Sequence, residues 1–193
     1  MTVGKNAGAR AGSIGIDADS IGMKMKKKSP KVVQFIEGLH GFLTLHKGYL
    51  SSNIETREAI GGLIVKYLEE YFSEAGFKDV ISKAHGAFYW QGRQLHYDND
   101  QSPVFGERNY PDFIIDEPYF IAIIYKEGID GAAFKEGIGE SLIYTLSGRF
   151  DFVYYLFQDK SEDGKIQRSV DYKLENSILA EMWDHYNVCI KLV

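Results

Sequence analysis

A chain of 193 residues with 45% hydrophobic and 25% charged side chains suits one globular domain with a sizeable core. Its 22 basic and 27 acidic residues leave a net charge of −5, which excludes a general nucleic-acid coat but not an enzyme that meets DNA through one local patch. One cysteine, Cys189, excludes an internal disulfide, and no apolar run reaches membrane-spanning length, so an intracellular, cytoplasmic protein without a membrane partner is expected.

Residues 1–29 are rich in Gly, Ala and Ser and close on a lysine cluster, MKMKKKSPK, so a flexible basic tail is expected ahead of a single domain at 30–193. Its sharper alternative is a basic arm from Lys24 to Lys31 that touches phosphates. No Gly-Lys-Ser/Thr follows the glycines, which leaves a phosphate-cradling loop unsupported. A helix is predicted from Ser29, as cap, to His46, with Pro30 at its first position. Val32, Phe35, Ile36, Leu39, Phe42 and Leu43 step by threes and fours and form its apolar face, although Gly38 and Gly41 lie inside it. A second helix is predicted from Asn53 to Ala75, with Ser52 and Glu55 spaced as a capping box. Its stripe is Ile60, Leu63, Ile64, Tyr67, Leu68, Tyr71 and Phe72, and Gly76 ends it.

Ala87–Trp90 and Gln94–Tyr97 read as a hairpin, then DNDQSP as a loop. Asp112–Ile115 is a predicted strand turned by Glu117-Pro118, and Tyr119–Tyr125 is apolar throughout, as in a strand buried on both faces. A helix at Ala132–Ser147, a strand at Phe152–Phe157, a helix at Val170–His185 and a strand at Val188–Val193 complete the chain. Consecutive strands imply antiparallel pairing, and strand–helix–strand implies a parallel crossover. The expected class is α/β, a mixed sheet flanked by helices on both faces.

Asp112 opens one strand and Lys126 closes the next, so a tight turn between them brings both to one end of the sheet. This edge, with Pro111-Asp112 and Lys126 as matching residues, resembles the PD-(D/E)XK nuclease superfamily, which includes many restriction endonucleases. The resemblance spans about Glu58 to Phe157, with a core at about 53–160, and rests also on the helix and strand that follow the lysine. It implies a restriction-endonuclease-like core and a helix glutamate before the strands, for which Glu58 stands first and Glu69 or Glu70 behind it. The chain departs from the family at Ile124, where an acid two before the lysine is usual. Some members take that acid from the following helix, and here Glu140 and Tyr144 occupy the places of a family glutamine and tyrosine four apart. Glu136, one turn earlier, is the other choice.

What the resemblance implies is Mg²⁺, or Mn²⁺, held by Asp112 and Glu140, a second ion held by Glu58, and Lys126 beside the attacking water. The residue types suit that chemistry. A phosphodiester repels nucleophiles, and hard cations on carboxylates offset its charge, while a lysine offsets charge in the transition state. The expected activity is a metal-dependent nuclease, a DNA endonuclease acting as a homodimer, with Arg93, Arg108 and Lys135 on phosphates. The alternative is a catalytically degenerate fold that binds nucleic acid or protein, with Asp112 a turn cap and Lys126 a solvated strand end. Histidines 40, 46, 85, 96 and 185 show no ligand spacing, so zinc is not expected. Cys189 reads as core, and Tyr89, Trp90, Tyr97 and Tyr110 as aromatics that stack on bases or rim the core.

Overall fold

The computed structural model describes residues 25–48, 56–90, 102–104 and 107–193. The tail through residue 24, the Ser52–Glu55 box, the second arm of the expected hairpin, Arg93, His96 and Tyr97 lie outside them, as does the side chain of Arg108. The described residues form thirteen elements in chain order. They are α1 (Pro30–Leu45), α2 (Thr56–Glu74), α3 (Val80–Gly86), β1 (Phe88–Trp90), β2 (Ser102–Val104), β3 (Glu107–Asn109), β4 (Phe113–Ile115) and β5 (Ile121–Gly128). Then come α4 (Gly131–Leu146), β6 (Phe152–Asp159), α5 (Lys165–Val170), α6 (Lys173–Tyr186) and β7 (Val188–Leu192).

Five strands form one mixed sheet in the order β1-β4-β5-β6-β7. The first three pair antiparallel, and β5-β6 and β6-β7 pair parallel. The expected class is therefore the observed one, α/β with a mixed sheet between helix layers. A separate antiparallel ribbon joins β2 to β3, and its first two residues, Ser102 and Pro103, were expected as the end of the DNDQSP loop. Alternation along the strands sorts side chains onto two faces. Phe113, Ile121, Ile123, Tyr125, Tyr154 and Leu156 pack against α1 and α2. Ile114, Ala122, Ile124, Tyr155 and Phe157 pack against Tyr144 of α4, Ile166 of α5 and Met182 of α6.

Local chemistry places the helix ends. The Ser29 hydroxyl accepts from Val32 N at the head of α1, with Pro30 just inside. Asp130 caps α4 by accepting from Ala132 N and Ala133 N. Gly38 does not break α1. A Cβ there would lie 2.6 Å from the Tyr67 hydroxyl, which instead donates to the Phe35 carbonyl and ties α1 to α2. Two short helices were not expected. Val80–Gly86 is a helix capped by Asp79, too short to show a period. Lys165–Val170 is the other, and the helix expected at Val170–His185 is α6, which starts three residues later, at Lys173, after Asp171 and Tyr172.

Candidate functional site

Asp112 and Lys126 do meet at one end of the sheet. Phe113 faces Ile123 across β4 and β5, so Asp112, one residue earlier, stands beside Ile124. Alternation turns Asp112, Ile124 and Lys126 toward α4. Asp112 is buried, and both its oxygens have partners. Oδ2 accepts from Tyr125 N at 2.8 Å, and Oδ1 lies 3.2 Å from Arg57 Nε, at the head of α2. Ile124 is fully buried in the apolar cluster with Ala122, Tyr144 and Tyr155, so an acid at that position would face hydrocarbon.

α4 supplies negative charge instead. Glu140 Oε2 lies 2.9 Å and Glu136 Oε1 3.2 Å from Lys126 Nζ. The two differ in setting, with 23% of the Glu140 side chain exposed against 70% of Glu136. Tyr144, fully buried, donates its hydroxyl to Glu140 Oε1 at 3.2 Å and orients the carboxylate one turn along the helix. α4 approaches the sheet closely because residue 137 is glycine. A Cβ there would sit 2.2 Å from Tyr155 Cζ. The Tyr155 hydroxyl in turn donates to the Phe134 carbonyl at 3.1 Å and fixes α4 over β6.

The electrostatics follow from this packing. Burial raises the Asp112 pKa above its ordinary value, and the Glu140 charge adds to the rise; Tyr125 N, Arg57 and Lys126 pull against it. Burial by itself would lower the Lys126 pKa, but the bonds to Glu140 and Glu136 outweigh it and hold the amine above its ordinary value. Lys126 is therefore an ammonium at neutral pH. It can place a water or stabilise developing negative charge, but it cannot act as a base.

An open cleft of about 510 Å³ lies over this end of the sheet, lined by Thr56, Arg57, Trp90, Asp112, Tyr125, Lys126 and Glu127. The Tyr125 hydroxyl, with one hydrogen to donate, lies 2.6 Å from Gln158 Oε1 and 2.9 Å from Glu127 Oε2. Glu58 does not join this group. It lines a neighbouring depression with Lys66, Glu69 and His85, and Trp90 forms the wall between the two. Glu70 lies in a groove between α1 and α2. Among the described residues, no group of three or more His, Cys, Asp or Glu could hold a metal ion. The expected three-carboxylate set is therefore not assembled among the described residues.

Arg57 is the residue that sequence reasoning passed over. It stands three before Ile60 and seven before Ile64, so it continues the buried stripe of α2 out to the sheet edge. Glu58 sits about 100° round the helix from it, off that stripe. Lys135 is exposed on α4. Tyr89 donates to Asp116, which makes it a rim residue. Cys189 is buried and its thiol is pushed up to about 12 by burial, so it is no nucleophile. No family model, no curated protein and no solved structure matches the chain.

Proposed function

We propose that this chain is a metal-dependent nuclease of the PD-(D/E)XK type, hydrolysing phosphodiester bonds in DNA as an endonuclease. One observation carries the reading: Glu140, from the helix after β5, reaches the Lys126 amine beside Asp112 and stands in for the acid that Ile124 lacks. The order α2, β1, β4, β5, α4, β6 is also the order that the resemblance implies.

The donors fit Mg²⁺ or Mn²⁺. Mg²⁺ is commonly bound through one or two carboxylates plus substrate phosphates, and two hard carboxylates are what Asp112 and Glu140 offer. A bound divalent ion supplies Lewis acidity toward the phosphate and acidifies water there. The chain's own residues do the rest. Asp112 and Glu140 would hold the cation, Lys126 would position the attacking water and offset charge in the transition state, and Trp90 walls the cleft.

The test is plasmid cleavage in Mg²⁺ or Mn²⁺, stopped by chelator. Lys126→Ala removes cleavage and leaves the melting temperature within a few degrees of wild type. A wild type inert on supercoiled, linear and single-stranded DNA and on RNA, in either metal, ends the proposal. One observation favours the second reading, a nuclease-like fold that only binds nucleic acid or protein. Both carboxylates already face protein cations, Asp112 with Arg57 and Glu140 with Lys126. The same cleavage assay decides between the two. A homodimer belongs to the first reading, since cutting both strands of a duplex favours two-fold symmetry, and sedimentation measures it.

A further inference from the structure

We infer that Arg57 is a phosphate-binding residue held on Asp112 until a divalent cation takes its place. The inference rests on the nuclease reading above. Of the two Asp112 oxygens, Oδ2 is committed to Tyr125 N inside the paired strands. Only Oδ1 is open to exchange, and Arg57 Nε sits on it at 3.2 Å.

Geometry points to Arg57 as the group that yields. A divalent cation bound by Asp112 would need Oδ1, because Oδ2 is held by Tyr125 N, and Oδ1 is where Arg57 Nε sits. Lys126 is tied by two glutamates and its side chain is 24% exposed, whereas the Arg57 side chain is 54% exposed and stands on the wall of an open cleft. A partly exposed ion pair of this kind contributes little and exchanges readily. Released from Oδ1, the guanidinium stays on the first turn of α2, facing the same cleft as Lys126 and Trp90. Its planar fork of donors matches a phosphate's oxygens, which a lysine's single amine does not.

Two consequences follow from this exchange. Metal alone binds weakly, because it must displace a cation. Metal and DNA then favour each other, by the same factor in both directions, because the released arginine meets the incoming phosphate.

The experiment compares wild type, Arg57→Ala and Arg57→Lys at mildly alkaline pH, where Asp112 is ionised in each. Mn²⁺ is titrated without nucleic acid, by calorimetry or by the paramagnetic signal of the free ion. Duplex cleavage is then followed against salt. Arg57→Ala is expected to bind Mn²⁺ about fivefold more tightly, as loss of one competing partly exposed ion pair allows. Its KM for duplex rises about tenfold, the worth of one charge-assisted contact, and the slope of log KM against log salt falls by about one. Arg57→Lys restores the salt slope and only part of KM. Weaker Mn²⁺ binding in Arg57→Ala overturns the inference, because Arg57 then merely holds Asp112 in place. Unchanged Mn²⁺ affinity, or an unchanged KM and salt slope, overturns it too. In these outcomes wild-type cleavage persists and the nuclease reading stands. A wild type that neither binds Mn²⁺ nor cleaves removes that reading, and this inference with it.

Discussion

Ile124 shows how one side chain redirects a site. The position beside Asp112 lies inside the α4-side core, where hydrocarbon excludes a charge. Negative charge is brought instead from above the sheet, by a helix residue whose carboxylate ends at the lysine. Glu140 is mostly enclosed and bonded to Tyr144, whereas Glu136 is mostly in water. Glu140→Gln is therefore expected to reduce cleavage at least about a hundredfold and Glu136→Gln less than about threefold, scaled to the loss of one buried charged contact against an exposed one. Rates measured under identical metal conditions check this, and equal, mild effects would point to a different third charge.

The raised pKa of Asp112 makes its carboxylate a stability cost. Below its ordinary 3.8 the carboxyl is protonated in both the folded and unfolded chain. As pH rises from there through the higher folded value, the folded state retains a proton that the unfolded chain has lost. Stability therefore falls across that window and stays lower above it. Asp112→Asn should melt higher than wild type at neutral pH, by a margin that shrinks on acidification. It should also lose cleavage. Thermal melts across the acid range test the first statement, and a lower melting temperature for Asp112→Asn at neutral pH would refute it.

At the level of elements, the site depends on how closely α4 and α2 approach the sheet. Gly137 lets the backbone of α4 rest on the Tyr155 ring, and its turn of helix carries Glu136 and Glu140 over Lys126. Gly137→Ala has to move either ring or helix. A loss of about 1–3 kcal/mol in stability is expected, as for other overpacked cores. Cleavage should fall further than stability, because the displaced helix carries Glu140. Denaturant unfolding with Tyr155→Leu as second mutation should show coupling between the two sites. α2 contributes in another way. Its rotation about its own axis puts residue 57, and not 58, against the end of β4, so the acid expected from this helix is replaced at Asp112 by a base.

For the molecule as a whole, three antiparallel strands followed by a parallel crossover bring Asp112, Lys126 and Glu140 together from three separate elements. The cleft opens where β4 begins and its pairing with β5 ends, beside the head of α2. A ligand that binds only this assembled end stabilises the entire fold, by about 2.7 kcal/mol at a hundred times its dissociation constant. Mn²⁺ with a noncleaved oligonucleotide should accordingly raise the melting temperature of wild type and leave that of Asp112→Asn unmoved. A shift of equal size in both would place the cation elsewhere. No helix of the described residues is long and apolar enough to cross a membrane.

Much of the architecture was legible along the chain, because it rests on local signals. The threefold and fourfold steps of α1 and α2, the unbroken apolar runs of β5 and β6, and the Ser29-Pro30 cap each depend on neighbours within a turn or a strand. The class, the mixed sheet and the meeting of Asp112 with Lys126 follow from those elements and short connections. Val80–Gly86 and Lys165–Val170 were not legible, since elements of six or seven residues show too little period. Neither was the choice of partner for each charge. Whether residue 57 or 58 faces Asp112, or 136 or 140 encloses Lys126, turns on helix rotation and on distances of a few ångströms between layers. Those are decided by packing among residues far apart in the chain: Gly137 on Tyr155, Tyr144 beneath Glu140, Ile124 in the core.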